Sequence, residues 1–191
     1  LDFSTPARRL FFCRREVELN RRLTHGVYAE VVAVCRQNEG YRIDGAGVPV
    51  EYAVRMRQLS DRDTLSARLQ RGAIAAPQIV QLVKYLLAFY AARTRVSATA
   101  KTDIWLGVRT ACRENIRQAA AAPASLRDRA RLDRIHRATE QYLETNQALF
   151  LNRVEHGHVR ACHGDLRGDH VYFGRDGSIQ IIDCIEFNDN L

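Results

Sequence analysis

The sequence predicts an α+β chain in two lobes, and three observations carry that prediction. β-Branched and aromatic runs crowd the region 31–56: Val31-Val32-Ala33-Val34-Cys35, Tyr41-Arg42-Ile43 and Val50-Glu51-Tyr52-Ala53-Val54-Arg55-Met56. From residue 60 to about 152 the apolar residues recur at helical spacing instead. Near the end, Val171-Tyr172-Phe173 and Ser178-Ile179-Gln180 flank the turn Gly174-Arg175-Asp176-Gly177, which reads as a β-hairpin. The expected division is a strand-rich first lobe over 1–59 and a helical second lobe over 60–191, with a nucleotide-sized cleft between them.

The elements follow in order. Ser4-Thr5-Pro6 offers a capping hydroxyl and a first-turn proline, so an amphipathic helix is expected over about 6–23, ended by Gly26-Val27-Tyr28. Two or three antiparallel strands come next, separated by Asn38-Glu39-Gly40 and by Gly45-Ala46-Gly47, a hairpin turn. The last of them alternates, with Val50, Tyr52, Val54 and Met56 on one face. A short helix over 63–70 precedes a stronger one opened by Pro77, with Ile79, Leu82, Val83, Leu86 and Phe89 on one side. Helices over 101–120 and 126–152 complete this part, separated by Pro123, and Tyr52 and Trp105 read as core aromatics.

Composition narrows the function classes. With 191 residues, 46% of them hydrophobic, the chain can bury a core, and no apolar run approaches the ~20 residues that span a bilayer. No membrane partner is expected, and a cytoplasmic location is. The five cysteines are scattered and never form C-x-x-C, which disfavours a disulfide framework or a zinc ribbon. The net charge of +7 is almost entirely arginine, since Lys84 and Lys101 are the only lysines. Those arginines are interleaved with carboxylates along helices, which suits a solvated surface better than a nucleic-acid groove. The chain begins at Leu1 and stops soon after Asp183, so it is expected to be a piece of a longer protein.

Two phrases near the end concentrate the chemistry. His163-Gly164-Asp165-Leu166-Arg167-Gly168-Asp169-His170 is a polar loop, and Ile181-Ile182-Asp183-Cys184 is an apolar run that ends in a carboxylate. The hairpin between them should bring Asp183 back toward Asp165. Two carboxylates so placed can divide a phosphoryl transfer: one orients a hydroxyl nucleophile and the other holds Mg²⁺.

His163-Gly164-Asp165, with Asp183 18 residues beyond Asp165, resembles the aminoglycoside phosphotransferase-like branch of the protein-kinase-like fold. Leu1-Asp2-Phe3-Ser4-Thr5, Asn20-Arg21-Arg22-Leu23, Val50–Met56 and Asp183-Cys184-Ile185-Glu186-Phe187-Asn188 resemble, more closely, a bacterial subfamily of phosphotransferases. Its members are often fused to a C-terminal P-loop ATPase domain, which is the partner domain implied. The resemblance implies ATP and Mg²⁺ as cofactors and a small hydroxylated compound as acceptor. It gives Asp165 the catalytic-loop role and Asp183 the Mg²⁺. It places Arg167 near the transferred phosphoryl, and gives Glu16 to the phosphate-binding lysine. His163 braces the loop. The family's second metal-binding asparagine is His170 here, a poor Mg²⁺ ligand by chemistry. Either Asp169 or Glu186 assists a second metal, or His170 only positions the loop. The lysine and a glycine-rich loop are not found before Lys84 and are expected upstream of Leu1.

Two other classes stay open. A metal-dependent hydrolase could draw on His156, His158, His163 and His170 with Asp165, Asp169 and Asp183. A non-catalytic kinase-like module that binds a nucleotide or a partner is the other.

Overall fold

Thr5 opens helix α1 (Pro6–Asn20) as its hydroxyl accepts from Arg8 N at 3.3 Å, with Pro6 in the first turn. The computed structural model describes residues 2–38, 40–92, 101–122 and 125–185. Helix α1 ends earlier than the periodicity suggests. Leu23, fully buried, continues the apolar pattern from a turn that Thr24 Oγ1 braces by donating to Asn20 O at 2.9 Å.

Strand β1 (Tyr28–Gln37) is central, with β2 (Gly40–Ile43) and β3 (Pro49–Met56) antiparallel on its two sides. Gly45-Ala46-Gly47 therefore does not close a hairpin between neighbours. It carries the chain across the end of β1, and a Cβ on Gly47 would lie 2.1 Å from Arg36 O, so only glycine fits that approach. Helix α1 packs on β1 and β3 over a core of Val17, Val27 and Tyr28. Val31, Val54, Leu59 and the distant Ile182 cover that core. The expected alternation of β3 is blurred, because Met56 is exposed where the strand runs out.

A single 3-10 turn (Asp61–Asp63) leads to α2 (Leu65–Gln70), capped by the Thr64 hydroxyl on Ala67 N at 3.1 Å. Helix α3 (Ala76–Ala91) follows and buries Leu82 and Phe89, with Tyr85, Leu86 and Tyr90 beside them. Ile79 and Val83, expected on that face, are exposed; the packed stripe is rotated toward 82, 85, 86, 89 and 90. The predicted hairpin forms, as β4 (Val171–Phe173) against β5 (Ile179–Ile181). Its Val171, Phe173, Ile179 and Ile181 join Leu23, Leu82 and Phe89 in the second core cluster. Each large side chain so buried stabilises the fold by roughly 1.5–3 kcal/mol.

The chain divides into two compact units. Of the described residues, those up to Ala92 together with 162–185 form the first, and those between them in sequence form the second. The junction expected near Leu59-Ser60 thus falls inside the first unit. The second unit holds α4 (Lys101–Ala121), α5 (Leu126–Thr145) and α6 (Gln147–Glu155) around Trp105, Leu143 and Val154. The single helix expected over 126–152 is broken at Asn146, whose side-chain amide donates to Tyr142 O at 2.9 Å and ends α5. Glu140 accepts from Arg113 and Arg109 on α4, and those guanidiniums hold its carboxyl down at about 2. Among the described residues no helix is long and apolar enough to cross a membrane.

Candidate functional site

The loop at 163–170 is organised by its own side chains. His163 is buried, and its Nε2–H donates to Ile182 O at 2.8 Å while Nδ1 accepts from Asp165 N at 3.3 Å. Accepting at Nδ1 needs the neutral ring, and burial, the largest cause, pushes its pKa below the usual 6.5 against the raising effect of the Ile182 contact. Gly164 turns the chain at φ +92°, and a Cβ there would sit 2.9 Å from Ile185 Cβ. A single 3-10 turn (Gly168–His170) closes the loop, with Gly168 pressed against Ser66 of α2.

His170 sits at the centre. Its Nδ1–H donates to Asp165 O at 2.9 Å, and its Nε2 accepts from Arg167 Nη2 at 2.7 Å. The same Nε2 lies 3.4 Å from Asp183 Oδ2, and Arg167 Nε lies 3.1 Å from Asp165 Oδ2. One buried imidazole therefore touches the backbone of one carboxylate residue and the side chain of the other. Asp165, Arg167, His170 and Asp183, the four candidates drawn from this end of the sequence, are brought together.

Asp183 is held differently. It is one of three non-glycine residues described with positive φ, at +65°, a conformation that costs an L-residue about 1–2 kcal/mol. Its carboxylate is 63% exposed. Around it, five successive backbone N–H groups find acceptors. Ile181 donates to Leu23 O (3.0 Å), Ile182 to His170 O (3.0 Å) and Asp183 to the Tyr28 hydroxyl (3.4 Å). Cys184 donates to Asn20 Oδ1 (2.9 Å) and Ile185 to His163 O (2.9 Å). Three of the five acceptors come from residues 20–28.

Glu16 is half-buried on α1. Burial chiefly, then the charges of Glu16 and Asp183, raises the Tyr28 hydroxyl well above its usual 10, against the lowering effect of its contact with Asp183 N. Tyr172 is raised likewise, by burial first and then by Asp61, Asp183 and Asp169. Glu186, Phe187 and Asn188 lie outside the described residues. Lys84 is exposed on α3.

Sequence reasoning missed Asn20 and Tyr28 as members of this site. Asn20 is fully buried at the last position of α1, and Tyr28 had the look of a helix stop. The only signal available was an amide where a helix of this kind would bury an apolar residue.

The donor set fits one kind of metal site and not another. Among the described residues, no three or more of His, Cys, Asp and Glu gather into a cage for a metal ion. The histidine-rich set that a zinc hydrolase would need is therefore not assembled there; His156 and His158 lie in the second unit with their rings stacked 6.5 Å apart. Asp183 presents an accessible carboxylate, which suits Mg²⁺, an ion commonly bound by one or two carboxylates plus substrate phosphates. His170 donates from Nδ1 to Asp165 O and accepts at Nε2 from Arg167, so both ring nitrogens brace the loop while Asp183 Oδ2 lies beside the ring at 3.4 Å.

Comparison with known proteins gives relatives but no function. The chain is 25% identical, over all 191 of its residues, to an uncharacterized protein of Mycobacterium bovis and to uncharacterized proteins from two strains of Mycobacterium tuberculosis. It spans 36% of the length of each. No protein-family model matches the chain. No solved structure matches it either.

Proposed function

We propose that this chain carries the catalytic loop and metal-binding carboxylate of an ATP-dependent small-molecule phosphotransferase of the aminoglycoside phosphotransferase-like, kinase-like kind. The convergence of Asp165 and Asp183 on His170 is the observation that carries this reading. In such a reaction the acceptor hydroxyl oxygen forms a new bond to the γ-phosphorus. The bond from that phosphorus to the β–γ bridging oxygen breaks, and ADP leaves with the electron pair. Asp165 orients the hydroxyl and accepts its proton, and Arg167 lends positive charge to the transferred group. Asp183 would hold Mg²⁺, which when bound neutralises phosphate charge. His163 and His170 keep the loop in shape. The nucleotide-contacting lysine that this chemistry uses is sought in the longer protein. A P-loop ATPase domain fused after this chain belongs to the same proposal.

The test is turnover by the full-length protein with ATP, Mg²⁺ and a panel of small hydroxylated acceptors. Phosphoryl transfer is expected, and Asp165→Ala and Asp183→Ala should each lower it by about 10³-fold or more. A second reading, a nucleotide-binding module without chemistry, draws on the Arg167–Asp165 pair at 3.1 Å, which occupies both proposed catalytic groups. Mg²⁺–ATP binding with no transfer to any acceptor would favour it over the first.

A further inference from the structure

Asp183 is held in its left-handed conformation by the peptide groups on either side of it. Rotation about its φ moves its own carboxylate and carbonyl relative to an N–H fixed on Tyr28 Oη at 3.4 Å. Rotation about its ψ swings the next N–H, that of Cys184, away from Asn20 Oδ1 at 2.9 Å. The Asn20 contact is the shorter and the more deeply buried. Its carboxamide is fully buried, and it is used from both ends: Nδ2 donates to Glu16 O at 2.9 Å while Oδ1 accepts from Cys184 N. An amide with both ends satisfied and no access to water has one orientation, so it transmits the position of α1 to the Asp183 backbone. Arg22 Nη2 adds a contact to Cys184 Sγ at 3.3 Å on the same side.

We propose that Asn20 is a positioning residue that fixes the direction in which Asp183 presents its carboxylate to a metal–nucleotide complex. The proposal rests on the phosphotransferase reading given above. Hydrogen bonds of this outer kind orient metal-binding side chains, and their removal typically weakens metal affinity about 10–100-fold. Two substitutions separate positioning from stability. Asn20→Leu keeps the branched shape, with a somewhat larger side chain, but leaves the Cys184 N–H without an acceptor. Asn20→Asp keeps the acceptor, yet buries a charge and loses the donor to Glu16 O, so it destabilises the fold while preserving the clamp.

The experiment uses the full-length protein, with Mn²⁺ as the metal and ATP as the nucleotide. Mn²⁺ affinity is followed by electron paramagnetic resonance, amide hydrogen exchange is followed at residues 183–185, and melting temperature is recorded for each variant. Asn20→Leu is expected to weaken Mn²⁺ binding in the presence of ATP by about tenfold or more and to speed Cys184 amide exchange by a similar factor. Asn20→Asp should stay within about threefold of wild type in both, despite a lower melting temperature. If wild type binds Mn²⁺–ATP and Asn20→Leu binds it equally well, the positioning role is overturned and the phosphotransferase reading stands. Loss of metal affinity that tracks the melting temperature across both variants overturns it as well. If wild type itself binds no Mn²⁺ with ATP, the phosphotransferase reading has failed and the metal role of Asn20 falls with it.

Discussion

The two carboxylate-bearing segments of the site are built on opposite plans. The loop around Asp165 is self-contained: His163, Arg167 and His170, all within eight residues, supply most of its bracing. The segment around Asp183 is held mainly from outside, by Leu23 O, Tyr28 Oη and Asn20 Oδ1, some 155–165 positions earlier in the chain. The difference teaches where each could be read. A self-braced loop announces itself as a dense polar phrase. A segment braced from afar shows only an apolar run and one acid.

Substitutions can break or sharpen that contrast. The largest effect on stability is expected at Gly164, where φ is +92° and a Cβ would meet Ile185 at 2.9 Å. Gly164→Ala should lower stability by about 1–3 kcal/mol in urea unfolding. It should disturb both segments together, because Ile185 N is bonded to His163 O. An unchanged midpoint would mean that the two segments are not packed as described.

The next effect is pH-dependent and belongs to the self-braced loop. His163 has its folded pKa below the ordinary 6.5, so the unfolded chain takes up the proton first as pH falls. The stability it contributes is fully present above about 6.5 and is lost progressively as pH drops below that value toward the folded pKa. Thermal melts of wild type from pH 8 to 5 should show this acid-side loss. His163→Gln should be less stable at pH 8 but flatter in its dependence below 6.5. A variant as steep as wild type would assign the titration elsewhere.

The smallest effect separates backbone from chemistry at Asp183. Glycine adopts positive φ without a Cβ penalty, so Asp183→Gly should be more stable than Asp183→Ala by roughly 1 kcal/mol. Both variants should be equally inactive in phosphoryl transfer. Equal melting temperatures would mean that the left-handed conformation at φ +65° is not retained in solution.

Much of the fold was legible for local reasons. Thr5-Pro6 marks a helix start because a capping hydroxyl and a fixed φ act within one turn. The hairpin of β4 and β5 was legible because turn residues and alternating burial lie within eleven residues of one another. The strands of the first sheet were legible from their β-branched content, but their order was not. That β1 lies between β2 and β3 depends on pairing partners that a linear pattern does not specify. The face of α3 went astray for a related reason. Ile79, Leu82, Val83, Leu86 and Phe89 share a stripe, yet the hairpin core covers only part of it and leaves Ile79 and Val83 to solvent. The break at Asn146 was equally hidden, since asparagine is only mildly unfavourable in a helix and nothing beside it marks a stop.

The sequence by itself determined the chemical types in the candidate site: two carboxylates, an arginine and two histidines, carried on a loop and a strand end. It also determined the elements that bear them, because capping, turn formation and periodicity are short-range effects. Only the tertiary structure decided that His170 links the Asp165 backbone to the Asp183 side chain and that Asn20 and Tyr28 hold Asp183. Those contacts depend on which distant segments share a core. Bonds between buried polar groups leave no periodicity in the sequence: an asparagine at the end of a helix looks the same whether it faces water or the backbone of residue 184.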